Sequence, residues 1–387
     1  MSTTSTPALT IGFDGKRALH NFTGLGNYSR FVVETMARSY PECRFVLFTS
    51  REPRDERVRY LLELPNVEVV TPRSAVWKPL RGVWRHRWGL TSAIRRSGVD
   101  LYHGLSNELP FDIRRAGVPS VVTIHDLIFR TFPGNYKAVD RRLYDMKFRS
   151  AARKATRVVA ISERTRHDIE RFYGVPSGRI DVIYQGCAPL FSRPADDDTR
   201  RRVAQLYRLP ERYIICVGTI EQRKNQRLVA EAMAALPPDV SLVLVGRGRN
   251  GYDDELRRLC AALGVSDRVI HLQGVPTEHL PALYAMAQVA AYPSFYEGFG
   301  LPVIEALSCG VPVVAATGSC LEEAGGEGAL YVDPRSPEEM ADALRRLLCD
   351  DALRRRMVEA GRRHIAAFDP RHFADRLMAT YRKAIKF

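Results

Sequence analysis

Residues 294–310 read SFYEGFGLPVIEALSCG, which sets two glutamates, Glu297 and Glu305, eight positions apart. Between them lies a bend of Gly298, Phe299, Gly300, Leu301 and Pro302. Proline at the opening of a helix is pre-set in φ and gives up no useful donor. The amides of Gly298, Phe299 and Gly300 can then face outward at a helix N-terminus, which attracts anions. Carboxylates accept hydrogen bonds from neighbouring hydroxyls in pairs, as a sugar or a ribose presents them. The chemistry on offer is capture of a ligand that is both polyhydroxylated and anionic. Taken singly, two glutamates beside a turn are equally at home as solvated surface groups.

A second cluster lies in VGTIEQRKN, residues 217–225. Arg223 and Lys224 follow an apolar run and precede a helical pattern. A planar fork beside a compact point charge suits a diphosphate; the same pair also fits a solvated helix start. In the first half of the chain, His125 ends the run VVTI and is followed by Asp126. A histidine there can face a ligand or bond a neighbouring carbonyl. His103, in YHGLSNE, ends another run; with Ser106, Asn107 and Glu108 it is a candidate for contact with a second substrate. TGLGN, residues 23–27, supplies Gly24 and Gly26 between the first apolar run and a helix read as Tyr28–Met36. LVGRGRNG (244–251) and LQGVP (272–276) bring glycines to the ends of two more runs, where backbone approaches closely or simply turns.

These groups need a scaffold that delivers strand ends to one edge. Short apolar runs at 8–13, 44–50, 67–71, 99–104, 118–126, 157–162 and 179–186 alternate with helical patterns, among them 79–97, 138–155 and 163–173. The second half repeats the plan, with runs at 212–219, 241–246, 268–274, 288–294 and 311–317. Helical patterns there fall near 225–235, 252–263, 277–287, 302–309 and 319–324, and three charged ones close the chain at 336–348, 351–367 and 371–385. Such alternation marks α/β architecture with mostly parallel sheets, whose ligands bind beyond the carboxyl ends of the strands. The segment 186–201 carries two prolines after its glycine and reads as a linker. Its acids Asp196–Asp198 have no strand ahead of them and fit a helix cap better than a metal site. The domains are therefore set at 1–190 and 200–370.

A length of 387 residues suits two or three domains at roughly 150 residues each. No apolar run approaches the ~18 residues needed to span a bilayer, and MSTTSTPALT lacks the charged and apolar regions of a leader peptide. Seven scattered cysteines without a CxxC pair fit a reducing, cytoplasmic setting. Cys309 reads as a packing residue. The formal charge of +14 points to an anionic partner. No zinc-finger, homeodomain or RNP-type pattern favours nucleic acid. GxGxxG directly after the first strand and GxxxxGK[ST] are both missing, which argues against a dehydrogenase and a P-loop NTPase. Between Arg73 and Arg96 lie seven Lys or Arg, no acid, and Trp77, Trp84 and Trp88. Seven and four apart, the tryptophans fall on one helical face, either packed on a sheet or facing an anionic membrane.

EGFGLPVIEALSCG resembles the E-x7-E signature of retaining glycosyltransferases of family 4, and VGTIEQRKN resembles that family's diphosphate-binding loop. One departure is Thr219, where some members carry an arginine. The resemblance spans nearly the whole chain. It implies the GT-B architecture: two Rossmann-like domains with parallel sheets facing across a cleft, acceptor on the first and nucleotide sugar on the second, with a last helix (about 371–387) returning to the first. It implies that Glu297 holds the transferred sugar, with Phe299, Gly300 and neighbouring amides of Gly298 and Leu301. Glu305 would hold the ribose, Arg223 and Lys224 the diphosphate, and Gly274 and Val275 the base. His125 would line the cleft near the sugar, and Gly24 and Gly26 would lie near the donor phosphate; His103 and Asn107 are left for the acceptor. The reaction implied is retaining hexosyl transfer from a nucleotide sugar, with no metal and no cofactor, the departing phosphate helping to deprotonate the acceptor. GTIEQRKN and GLGNYSR are most similar to mannosyltransferases of surface polysaccharide or lipopolysaccharide synthesis, so GDP-mannose leads while UDP-glucose, UDP-galactose and other donors stay open, with a glycan or lipid-linked acceptor and a cytoplasmic site on the inner face of the membrane. Two other classes stay open: a non-catalytic binder of nucleotide sugars or polyanions, and a Rossmann-type oxidoreductase.

Overall fold

The computed structural model describes residues 8–72, 80–86 and 88–386. The first seven residues, which were read as part of a leader-free start, lie outside it, as do Trp77 and the rest of 73–79, and Arg87. The chain divides into two compact units, one running to Gln185 and joined by Pro370–Phe387, the other Gly186–Asp369.

The first unit holds seven strands: β1 (Thr10–Asp14), β2 (Arg44–Phe48), β3 (Val67–Val70), β4 (Leu101–Gly104), β5 (Ser120–Ile124), β6 (Arg157–Ala160) and β7 (Ile180–Val182). Every pairing is parallel, in the order β3-β2-β1-β4-β5-β6-β7. The second unit holds β8 (Tyr213–Val217), β9 (Ser241–Val245), β10 (Val269–Leu272), β11 (Val289–Tyr292), β12 (Val313–Ala316) and β13 (Ala329–Val332). These pair in parallel in the order β10-β9-β8-β11-β12-β13. Runs such as SVVTI, VAAY and VVAA are buried along their whole length, as parallel strands covered on both faces must be. In each sheet the strand order reverses once, at β1 and β4 and at β8 and β11, and there the following loops diverge and open a crevice.

Three local readings change. The helix placed at Tyr28–Met36 runs Gly24–Ser39, so both glycines of TGLGN sit in its first turn rather than in a loop. The segment read as one helix over 79–97 is two, Arg81–His86 and Gly89–Arg96, parted at Trp88 with φ 23°. Trp84 packs against Gly89, where an added Cβ would stand 2.2 Å from the indole. Trp84 is buried and Trp88 exposed, so they do not share one face. Strand β13 lies outside the apolar runs set out above; it is four residues held between glycines and Asp333-Pro334. Asp196 caps the helix Asp197–Tyr207 by accepting from the Thr199 amide at 2.7 Å. The final helix, Pro370–Ile385, lies in the first unit, with Phe373 edge-on to Phe31 at 5.0 Å and Tyr40 donating to Asp375 at 2.9 Å.

Candidate active site

The reversal point of the second sheet decides which distant residues meet. β8 and β11 are neighbours, with Ile214 opposite Val289 and Ile215 opposite Ala290. The loop after β8 therefore emerges beside the loop after β11. Asn225, in the left-handed region at φ 55°, ties the two by donating to the carbonyls of Pro293 at 3.2 Å and Pro334 at 2.8 Å. The Phe295 amide donates to the Arg223 carbonyl at 3.0 Å. Lys224 Nζ then donates to Glu297 Oε1 at 2.9 Å and to the Tyr292 hydroxyl at 2.7 Å. Arg223 Nη1 reaches Glu297 Oε1 at 2.8 Å and the Tyr296 carbonyl at 2.6 Å. Its Nη2 donates to Glu221 at 2.6 Å, and Glu221 in turn takes Arg249 at 3.1 Å.

These charges are largely withdrawn from water, with the side chains of Arg223, Lys224 and Glu297 only 11%, 13% and 12% exposed. Burial pushes the Glu297 carboxyl up, but Lys224 and Arg223 outweigh it and hold the group well below the usual carboxylate range. Burial likewise opposes the charge on Lys224, and Glu297 outweighs it, so the ammonium keeps its proton. Three cations and two carboxylates in one row leave an excess of positive charge for an anionic ligand.

Glu305 lies eight residues on, in the helix Leu301–Ser308. It stands away from these cations and accepts from the Tyr284 hydroxyl at 3.4 Å. Burial raises it to about 7, with Tyr284 and Lys224 pulling weakly the other way. Gly300 precedes that helix at φ 144°, and a Cβ there would meet Ala324 and Leu321 at 3.0 Å. Leu301 is the first helical residue and is half-buried. Gly274, at φ 68°, and half-buried Val275 follow edge strand β10 on the same edge of the sheet. Cys309 packs its thiol on the Phe191 carbonyl at 3.6 Å.

In the first unit, His125 leaves the end of β5 with Nε2 donating to the Leu105 carbonyl at 2.9 Å and its ring edge-on to Tyr28 at 4.5 Å. Burial lowers it to about 4; the Leu105 contact opposes this and Arg17 adds to it, so the ring is neutral with the proton on Nε2. Asn107 holds the histidine, its Oδ1 accepting from the His125 amide at 2.7 Å. His103 does not face a second substrate. It is fully buried, with Nδ1 on the Tyr381 hydroxyl at 2.8 Å and Nε2 on Thr123 at 2.9 Å, and both ring nitrogens are used within the unit. Glu108 is likewise committed: Arg85 bridges Glu108 at 2.5 Å and Asp14 at 2.6 Å, and Lys147 adds a contact at 3.3 Å. Arg85 belongs to the basic run 73–96, but it is buried at the reversal point of the first sheet. Gly24 faces open space, whereas a Cβ on Gly26 would stand 1.8 Å from the Asn21 carbonyl.

Residues 197–364 match the family described as Glycosyl transferases group 1, and residues 22–189 match Glycosyltransferase Family 4. The O-antigen chain mannosyltransferase B of Escherichia coli is 31% identical over 351 residues, covering 86% of this chain and 88% of that one. The chain belongs to glycosyltransferase family 4. Within that family it is also 31% identical, over 320 residues, to the D-inositol 3-phosphate glycosyltransferase of Corynebacterium glutamicum, covering 77% of this chain and 76% of the relative. The GT-B fold is shared with the HepE protein of Anabaena, solved with UDP and glucose: TM-score 0.74, 21% identity, 97% of this chain and 100% of that one.

Four residues of this family 4 glycosyltransferase escaped sequence reasoning. Tyr292 is the last residue of β11, and it donates to Glu297 at 3.2 Å. Asn225 and Glu221 stand inside a motif already singled out, and their bonds to Pro293, Pro334, Arg223 and Arg249 hold the loop. Cys320, fully buried, turns its thiol to the carbonyls of Glu297 at 3.2 Å and Phe299 at 2.6 Å. In a trans peptide the N–H points opposite its C=O, so the amides of Gly298 and Gly300 turn away from the thiol. The signal for Asn225 was legible, since asparagine tolerates the left-handed region; nothing around Cys320 in TGSC marks its role.

Proposed function

We propose that the chain transfers a mannosyl group from GDP-mannose to a hydroxyl of a glycan or lipid-linked acceptor, in surface polysaccharide or lipopolysaccharide synthesis, with retained anomeric configuration and without a metal ion. The observation that carries this reading is the grip of Lys224 and Arg223 on Glu297 at the reversal point of the second sheet. The difficult charge in such a reaction forms on the departing diphosphate. Donors already fixed in place stabilise that charge without reorganising. Lys224 and Arg223 take this part, and Glu297 orients the sugar hydroxyls. Amides of Gly298, Phe299, Gly300 and Leu301 share the anionic end, Glu305 takes the ribose, and Gly274 and Val275 border the base. On the first unit, His125, Gly24 and Gly26 are assigned to substrate, and Asn107 serves by holding His125. Support for mannose comes from the O-antigen mannosyltransferase relative. A lipid-linked acceptor sets the reaction on the inner face of the membrane; among the described residues no helix is long and apolar enough to cross it.

Melting shifts with GDP-mannose, UDP-glucose and UDP-galactose test the donor, and nucleotide release tests turnover. A shift with a uridine sugar and none with GDP-mannose overturns the mannosyl reading. Turnover should persist in excess EDTA; loss in EDTA restored by Mn²⁺ overturns the metal-free step. An inverted product anomer by NMR overturns retention.

A further inference from the structure

The two cations assigned to the diphosphate already have partners within the chain. Lys224 Nζ is held by Glu297 and the Tyr292 hydroxyl. Arg223 spends Nη1 on Glu297 and the Tyr296 carbonyl, and Nη2 on one oxygen of Glu221. Arg249 takes the other oxygen of Glu221. A diphosphate arriving here would have to share all three cations with two carboxylates. Arg247 lies on the same edge of the sheet and is uncommitted. The register of β8 on β9, Val217 opposite Val245, runs on past both strands to Ile220 opposite Gly248, which sets Arg247 level with Thr219. On the other side β10 ends at Leu272 opposite Val245 and leads into Gly274 and Val275. Arg247 therefore stands between the loop that carries Arg223 and Lys224 and the loop assigned to the base.

Its backbone is pinned while its side chain is not. The Arg247 carbonyl accepts from the Ile220 amide at 2.9 Å, and the Ile220 carbonyl from the Arg249 amide at 3.0 Å. The glycines on either side are dictated by packing: a Cβ on Gly246 would stand 2.0 Å from the Gly218 carbonyl, and one on Gly248 would stand 2.2 Å from the Asp253 carboxyl carbon. The guanidinium is exposed and has neither a hydrogen bond nor an ion pair among the described residues. Thr219, level with it, brings no charge, and Asp253 forms no ion pair among the described residues. We infer that Arg247 is a further binding residue for the phosphates of the nucleotide sugar, its planar fork meeting phosphate oxygens that Arg223 and Lys224, engaged with acids, do not cover alone. The inference rests on the transferase reading for its ligand, a nucleoside diphosphate, and on neither the sugar nor the base.

Calorimetric titration of the full-length protein uses whichever of GDP and UDP the wild type binds more tightly. Arg247→Ala should weaken that binding by about 10–100-fold, the scale of one hydrogen bond to a charged group. Arg247→Lys, which keeps the charge without the fork, should lose less. The loss in Arg247→Ala should shrink as salt rises, because exposed charge contacts are screened. The melting temperature without ligand should stay where it is, since the guanidinium has no partner in the fold to lose. Thr219→Arg added to Arg247→Ala returns a cation one ladder step away and should restore most of the affinity. Unaltered affinity in Arg247→Ala overturns the inference. So does a loss that salt leaves untouched, which would assign the side chain to the base, and so does a lowered melting temperature without ligand, which would make its role structural. If the wild type binds neither nucleotide, the transferase reading falls and takes this inference with it; tight binding that Arg247→Ala leaves unchanged sinks the inference alone.

Discussion

At the scale of single residues, the site depends on a charge that is costly to bury alone. Glu297 is kept ionised by Lys224 and Arg223, and removing one partner of such a pair leaves the other uncompensated. Lys224→Ala should lower turnover ~10²–10³-fold, the scale of losing one charge partner of the transition state. Nucleotide release measured at saturating donor reads this, and unaltered turnover removes Lys224 from the mechanism. Glu305 is the opposite case, a carboxyl raised by burial from 4.5 to about 7. Between those values the fold keeps a proton that the unfolded chain has released. The protein therefore loses stability as pH rises through that window, by on the order of 1–3 kcal/mol. Glu305→Gln should melt higher than wild type at pH 8 and the same at pH 4.5. If the ionised carboxyl holds ribose hydroxyls, GDP should bind wild type more tightly at pH 8 than at pH 6, and Glu305→Gln with no such slope. A melting difference that does not vary with pH would contradict the raised carboxyl.

At the scale of elements, the first turn of the helix Gly24–Ser39 separates two glycines that look alike in TGLGN. Gly26 lies against the Asn21 carbonyl, so Gly26→Ala forces the chain apart and should cost about 1–3 kcal/mol, read by thermal or urea unfolding. Gly24 faces open space in a helical position, where alanine should be neutral or stabilising by up to ~1 kcal/mol. Turnover lost in Gly24→Ala at unchanged melting temperature would mark close approach of ligand there. Turnover retained would leave Gly24 as a helix start only. The break at Trp88 has a similar origin. Two helices instead of one let the Trp84 indole close over Gly89 and enter the core of the first unit.

At the scale of the whole molecule, the last helix completes the first unit from the far end of the chain. Tyr381 is fully buried and bonded to His103, so Tyr381→Ala should cost about 3–5 kcal/mol. The loss should appear in thermal or urea unfolding, and an unaltered midpoint would contradict the load placed on this buried pair. The alternation of apolar runs with helical patterns sufficed for two parallel sheets, because such strands are buried on both faces and cannot hide their composition. EGFGLPVIEALSCG and VGTIEQRKN likewise pointed to the family, since glycine, proline and paired charges constrain the backbone locally. What stayed illegible depends on neighbours far along the chain. His103 and His125 both end apolar runs, yet packing buries one wholly against Tyr381 and leaves the other beside Tyr28. Arg85 stands in a run of cations, yet the strand reversal draws it inward to two acids. Residue types and spacing thus determined the family; strand order alone decided that Lys224 meets Glu297, because partners 73 residues apart touch only where β8 and β11 lie side by side.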